Sequence, residues 1–111
     1  MKEDYLQYKL AEWLRKNDYL FFHIPNGELR DKRTAGKLKS MGVVAGVHDL
    51  IVIKKNEIFF IELKVGKNTL SKPQKIFHEK LAKMGFPSHL ICRDDVDLAI
   101  DDLKEILDHQ D

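Results

Sequence analysis

The 111 residues carry 19 Lys and Arg against 18 Asp and Glu, with 43% apolar and 33% charged side chains, which excludes a disordered chain and predicts one domain, residues 1–111. No apolar run nears the roughly 18 residues that cross a bilayer, and the charged start Met1-Lys2-Glu3-Asp4 does not read as a signal peptide, so no membrane is expected. Cys92 is the only cysteine; it excludes an internal disulfide and a cysteine-built zinc site, and a cytoplasmic setting is expected.

In chain order, Leu6, Leu10, Trp13 and Leu14 recur at helical spacing and predict an amphipathic helix from Asp4 to about Lys16. Asn17-Asp18 breaks it. Tyr19–Ile24 reads as a strand, closed by the turn residues Pro25-Asn26-Gly27. The polar, basic stretch Glu28–Gly46 is long for a connection, with room for a short helix near 29–39, and such stretches are often functional. Val47–Ile53 and Ile58–Leu63 predict a β-hairpin around Lys55-Asn56, a turn without the favoured glycine. Ser71-Lys72-Pro73-Gln74 has the capping-box pattern. It opens a helix to about Met84, with Ile76, Phe77, Leu81 and Met84 on one side and Gly85 as its stop. Ser88–Cys92 reads as a short strand. Asp94–His109 reads as a last helix, buried through Val96, Ile100, Leu103 and Leu107, with acids at its positive dipole end. A right-handed crossover makes the strands at 58–64 and 88–92 parallel. The expected class is α/β, a mixed sheet flanked by helices.

The near-neutral total hides an uneven distribution. Residues 94–111 hold eight acids and one base, a net −7, so residues 1–93 carry 18 bases against 10 acids, a net +8. Arg30, Lys32, Arg33, Lys37 and Lys39 face only Asp31 within one stretch, and Lys64, Lys67, Lys72 and Lys75 form a second cluster. These runs read either as solvated surface or as a site for a polyanion such as nucleic acid.

Asp49 and Glu62 interrupt the two apolar strands of the hairpin. A turn centred between Lys55 and Asn56 pairs 54 with 57, 51 with 60 and 49 with 62, and Lys64 shares the face of Glu62. Both faces of the hairpin are otherwise apolar, so both are expected to be covered. Opposed carboxylates repel, and burial adds a desolvation cost. A hard divalent cation relieves both costs, and Lys64 alone offers the alternative of a partly buried ion cluster. A Lys beside cation-bound carboxylates can orient a water or stabilise charge on phosphorus, which with the basic clusters points to phosphodiester hydrolysis.

Asp49 followed by Glu62-Leu63-Lys64 resembles the PD-(D/E)XK nuclease motif, with His48-Asp49 in place of Pro-Asp. The wider pattern resembles the VRR-NUC subgroup: Glu3-x-x-x-Gln7, Asn26-Gly27, Gly46-Val47-His48-Asp49-Leu50-Ile51, Phe60-Ile61-Glu62-Leu63-Lys64 and Ser71-x-x-Gln74, in that order over nearly the whole chain. The resemblance is to the stand-alone type found in phages and bacteria. It implies a restriction-endonuclease-like α-β-β-β-α-β core with an extra C-terminal helix, and a Mg²⁺- or Mn²⁺-dependent DNA endonuclease. By that analogy Asp49, Glu62, the Leu63 carbonyl and Glu3 approach the metal, Lys64 is catalytic, and Gln74 shapes the site. It also implies a homodimer acting on branched DNA such as four-way junctions. A nuclease-fold DNA-binding module without activity, and a nuclease of other DNA structures or RNA, remain open alternatives.

The nucleic-acid contacts expected are Asn26, Arg30, Lys32, Arg33, Lys37, Lys39, Lys67 and Lys72. His23, His78, His89 and His109 lack ligand-like spacing and read as structural; His48 is left open between metal, DNA and scaffold. Tyr5, Tyr8 and Trp13 read as core or dimer contacts.

Overall fold

A computed structural model describes residues 1–25 and 32–108. Its elements are α1 (Glu3–Lys16), β1 (Leu20–His23), α2 (Lys32–Ser40), β2 (Leu50–Lys54), β3 (Glu57–Lys64), α3 (Lys72–Lys83), β4 (Ser88–Cys92) and α4 (Val96–Asp108). Among the described residues the sheet has the order β1-β2-β3-β4. The first three strands are antiparallel, and β4 runs parallel to β3. The result is a mixed α/β fold, as the element order predicts.

Local chemistry accounts for the boundaries. Asp18 takes a left-handed φ of 59° after α1, and the Tyr19 N–H returns to the Leu14 carbonyl, a turn that ends the helix. Lys55 adopts φ 55° in the hairpin turn, so the turn closes without glycine. The register is the expected one, from Lys54 with Glu57 to Leu50 with Ile61. The second strand is shorter than expected. Val47, His48 and Asp49 precede the ladder, because Gly46 turns the chain at φ 88° and His48 is wholly buried.

One sheet face carries the core. Leu50, Val52, Phe59, Ile61, Leu63 and Ile91 pack against Leu6, Leu10 and Leu14 of α1 and Ala99, Leu103 and Leu107 of α4. In α4 the small Ala99 takes an inner place that the periodicity gave to Ile100, which is only partly buried. Trp13 packs at the rim of this core and stacks on Tyr19, whereas Tyr5 and Tyr8 are exposed and are not core residues.

The opposite face is covered only in part, contrary to the expectation of two covered faces. No residue of α3 is buried. Ile76 and Met84, expected to point inward, are 45% and 72% exposed. The helix rests on the sheet through Phe77 against His48, and through His78 beside Glu62. On that face Leu20, Phe22, Ile58 and Leu90 remain exposed. No helix among the described residues is long and apolar enough to cross a membrane.

Candidate active site

Continuation of the hairpin register beyond Leu50 and Ile61 places Asp49 opposite Glu62. Oδ2 of Asp49 accepts the Leu63 backbone N–H at 2.8 Å, which aims this carboxylate across the strand end. Leu63 therefore joins the two acids through its backbone, while its side chain is buried in the core on the other face. Lys64 stands two residues beyond Glu62, on the same face of β3.

Glu62 is 1% exposed and is held from α3. Gln74 Nε2 donates to Glu62 Oε2 at 3.2 Å, and His78 Nε2 lies 3.2 Å from Oε1. The capping box decides how Gln74 points. Its Oε1 accepts the Ser71 N–H at 2.8 Å, so its amide nitrogen is the end turned toward Glu62. The Ser71 hydroxyl accepts the Gln74 N–H in return. One amide thus serves the helix cap through its oxygen and Glu62 through its nitrogen.

Burial, then the adjoining Asp49, push the Glu62 carboxyl up to about 9, against the pull of Lys64. Two carboxyl groups in contact share a proton or hold a cation. Glu3, at the start of α1, is raised mainly by burial. Lys64 lowers it and Asp49 raises it, and the Asn68 side chain hydrogen-bonds to it. Among the described residues no three His, Cys, Asp or Glu side chains converge into a metal cage. Asp49 and Glu62 converge as a pair, and Glu3 reaches them through its field. A pair of carboxylates with room for water is the donor set that suits Mg²⁺, which keeps most of its hydration.

His48 is buried, with Nε2 at 2.7 Å from the Ser88 hydroxyl. Among the described residues its Nδ1 has no hydrogen-bond partner. A bare ring nitrogen is cheaper to bury than an unpaired N–H, so the proton sits on Nε2. Burial, then His78, lowers its pKa to about 4. His48 stacks on His78 at 3.8 Å and 17°; it is scaffold, sealed from solvent. His23 donates through Nδ1 to the Asp49 carbonyl at 2.7 Å, tying β1 to the same corner.

The bases expected to meet nucleic acid are exposed wherever the structure describes them. Lys32, Arg33, Lys37 and Lys39 are exposed along α2, which has no buried residue. Lys67 in the loop after β3 and Lys72 at the start of α3 are also exposed. Asn26 and Arg30 lie outside the described residues. The acids of α4 are on the other side of the sheet, since that helix packs on the core face. Two residues at the site escaped the sequence reading. His78 follows Gln74 by four residues, a spacing that places both on one helix face; Asn68 carries no comparable signal.

No family model and no curated protein matches the chain. Among solved structures it is similar to one described as a "VRR_NUC domain protein", with a TM-score of 0.74 and 28% identity, covering 95% of this chain and 87% of that one. The chain has the VRR-NUC domain fold. In this fold the Asp49–Glu62–Lys64 corner lies where β2 and β3 meet, with α3 closing over Glu62.

Proposed function

We propose that this VRR-NUC domain is a Mg²⁺- or Mn²⁺-dependent DNA endonuclease with Asp49, Glu62 and Lys64 as its working centre. The observation that carries this reading is the pairing of Asp49 with the buried Glu62, whose carboxyl is raised to about 9 by burial first and by Asp49 second. Such a pair is poised to exchange a shared proton for a cation.

Asp49 and Glu62 would hold the metal, with the Leu63 carbonyl as a further ligand and Glu3 bound through water. When bound, the metal lowers the pKa of a water and polarises the scissile phosphoryl oxygen. Lys64 orients that water and opposes the charge that builds on phosphorus. Gln74 keeps Glu62 in place. The exposed bases Lys32, Arg33, Lys37, Lys39, Lys67 and Lys72 take the phosphates on either side of the cut, an attraction that weakens with salt. Asn26 and Arg30 belong to the same proposed interface.

Branched DNA, including four-way junctions, is the proposed substrate, and a homodimer the proposed acting form. What supports the dimer is the exposed apolar group of Leu20, Phe22 and Ile58 on one sheet face, joined through Ile53 in the strand register. An exposed apolar patch on a small protein marks an interaction surface. A two-fold pair of centres suits a junction with two equivalent strands. The test is one cleavage panel of four-way junction, flap, single-stranded and linear duplex DNA, with and without Mg²⁺, beside light scattering. Mg²⁺-dependent cuts in the junction by a dimer are expected. Gel shifts without cleavage at any metal concentration would reduce the protein to a binding module.

A further inference from the structure

We propose that His78 is a positioning residue, which with Gln74 fixes the plane of the Glu62 carboxylate for cation binding; the inference rests on reading Asp49 and Glu62 as a cation site. The terminal torsion of a glutamate is soft, so a single donor leaves its carboxylate free to swing. Here there are two donors, one on each oxygen. Gln74 Nε2 reaches Oε2 and His78 Nε2 reaches Oε1, both at 3.2 Å. Once a cation has replaced the proton the Glu62 carboxylate is acceptor-only, and His78 then donates through Nε2. One turn of α3 thereby grips both oxygens.

His78 is itself held in place. Its ring lies flat on the ring of His48 at 3.8 Å, and His48 is buried with Nε2 on the Ser88 hydroxyl at 2.7 Å. Ser88 belongs to β4 and pairs with Phe60 of β3. A chain of contacts thus runs from β4 through His48 and His78 to Glu62. It anchors the far end of the grip to the same sheet that carries the carboxylate. Groups that hydrogen-bond to metal ligands set how well those ligands are preorganised, and their loss weakens metal binding about 10- to 100-fold.

The experiment compares Mn²⁺ affinity by calorimetry in the wild-type protein, His78→Phe, His78→Gln and Glu62→Gln. Phenylalanine keeps the stack on His48 and removes the donor; glutamine returns a donor. His78→Phe should bind Mn²⁺ about 10- to 100-fold more weakly, and His78→Gln should recover most of the loss. Wild-type binding that Glu62→Gln abolishes and His78→Phe leaves unchanged would overturn the positioning role alone. A wild-type protein that binds no Mn²⁺ overturns the cation site as well. A second readout needs no variant: the His78 imidazole resonances of the wild-type protein should shift as Mg²⁺ is added. Resonances indifferent to saturating Mg²⁺ contradict the proposal.

Discussion

The backbone N–H of Leu63 donates to the Asp49 carboxylate across 2.8 Å, so the strand that carries Glu62 also aims its partner acid. The bond and the charge can be separated. Asp49→Asn keeps an oxygen for Leu63 but removes the like-charge contact with Glu62; Asp49→Ala removes both. Both variants should lose Mn²⁺ binding, and the alanine variant should be less stable than the asparagine variant by about 1 kcal/mol. Calorimetry and urea denaturation measure the two effects. An asparagine variant that binds Mn²⁺ like the wild type would contradict the assignment.

Gly46 is where the chain that delivers His48 and Asp49 passes the start of α3. A Cβ there would fall 2.3 Å from the Pro73 carbonyl oxygen, with the backbone at φ 88°. Gly42 also has positive φ, but open space around it. Gly42→Ala should cost about 1–2 kcal/mol from backbone strain alone. Gly46→Ala should cost more and should also weaken Mn²⁺ binding, because it displaces Gln74. Equal losses in urea denaturation would show that the approach to Pro73 carries no weight.

The pH profile of the metal-free protein follows from two buried groups. Glu62 is raised from 4.5 to about 9. Across that window the folded state keeps a proton that the unfolded chain has released, so stability falls as pH rises. His48 is lowered from 6.5 to about 4, so stability falls as pH drops through that range. The two slopes oppose each other between pH 4.5 and 6.5, where the melting temperature should be nearly flat. Above 6.5 it should fall, and Glu62→Gln or saturating Mn²⁺ should remove that alkaline loss. A metal-free melting temperature that rises from pH 6.5 to 9 contradicts the shared-proton account.

The basic helix α2 and the acidic helix α4 should have opposite effects on DNA. Arg33→Ala with Lys37→Ala on α2 should weaken duplex binding and reduce the salt slope by about 2, one for each lost phosphate contact. Asp97→Asn with Asp101→Asn on α4 should tighten binding modestly. In α4, Asp102 is a poor choice for such a test, since its carboxylate takes two hydrogen bonds from Arg93, at 2.7 and 3.1 Å. Fluorescence anisotropy over a salt series reads both pairs. Weaker binding by the α4 pair would place that helix against DNA.

Much of this was legible in the residues because a two-residue turn pins a hairpin register. Once Lys54 faces Glu57, Asp49 must come opposite Glu62. The capping box was equally legible, and its second duty toward Glu62 follows from the amide having two ends. What periodicity could not show is how much lies beneath a helix. Ile76, Phe77, Leu81 and Met84 form an apolar stripe, yet α3 covers only one end of the sheet, so part of that stripe faces solvent. His78 was read as structural because a lone histidine has no pattern; its meaning depends on Gln74 one turn earlier. His48 looked open to metal or DNA until the fold buried it behind α3.

The most direct measurement is Mg²⁺-dependent cleavage of four-way junction DNA by the wild-type protein and by Lys64→Ala. In the proposed mechanism Lys64 acts on the chemistry and does not hold the metal, so the variant should keep its fold, its Mn²⁺ binding and its DNA binding. Its cleavage rate should fall roughly 10²–10⁴-fold, the span of a lost acid–base or charge-stabilising group. Undiminished Mg²⁺-dependent cleavage by Lys64→Ala would contradict the central claim.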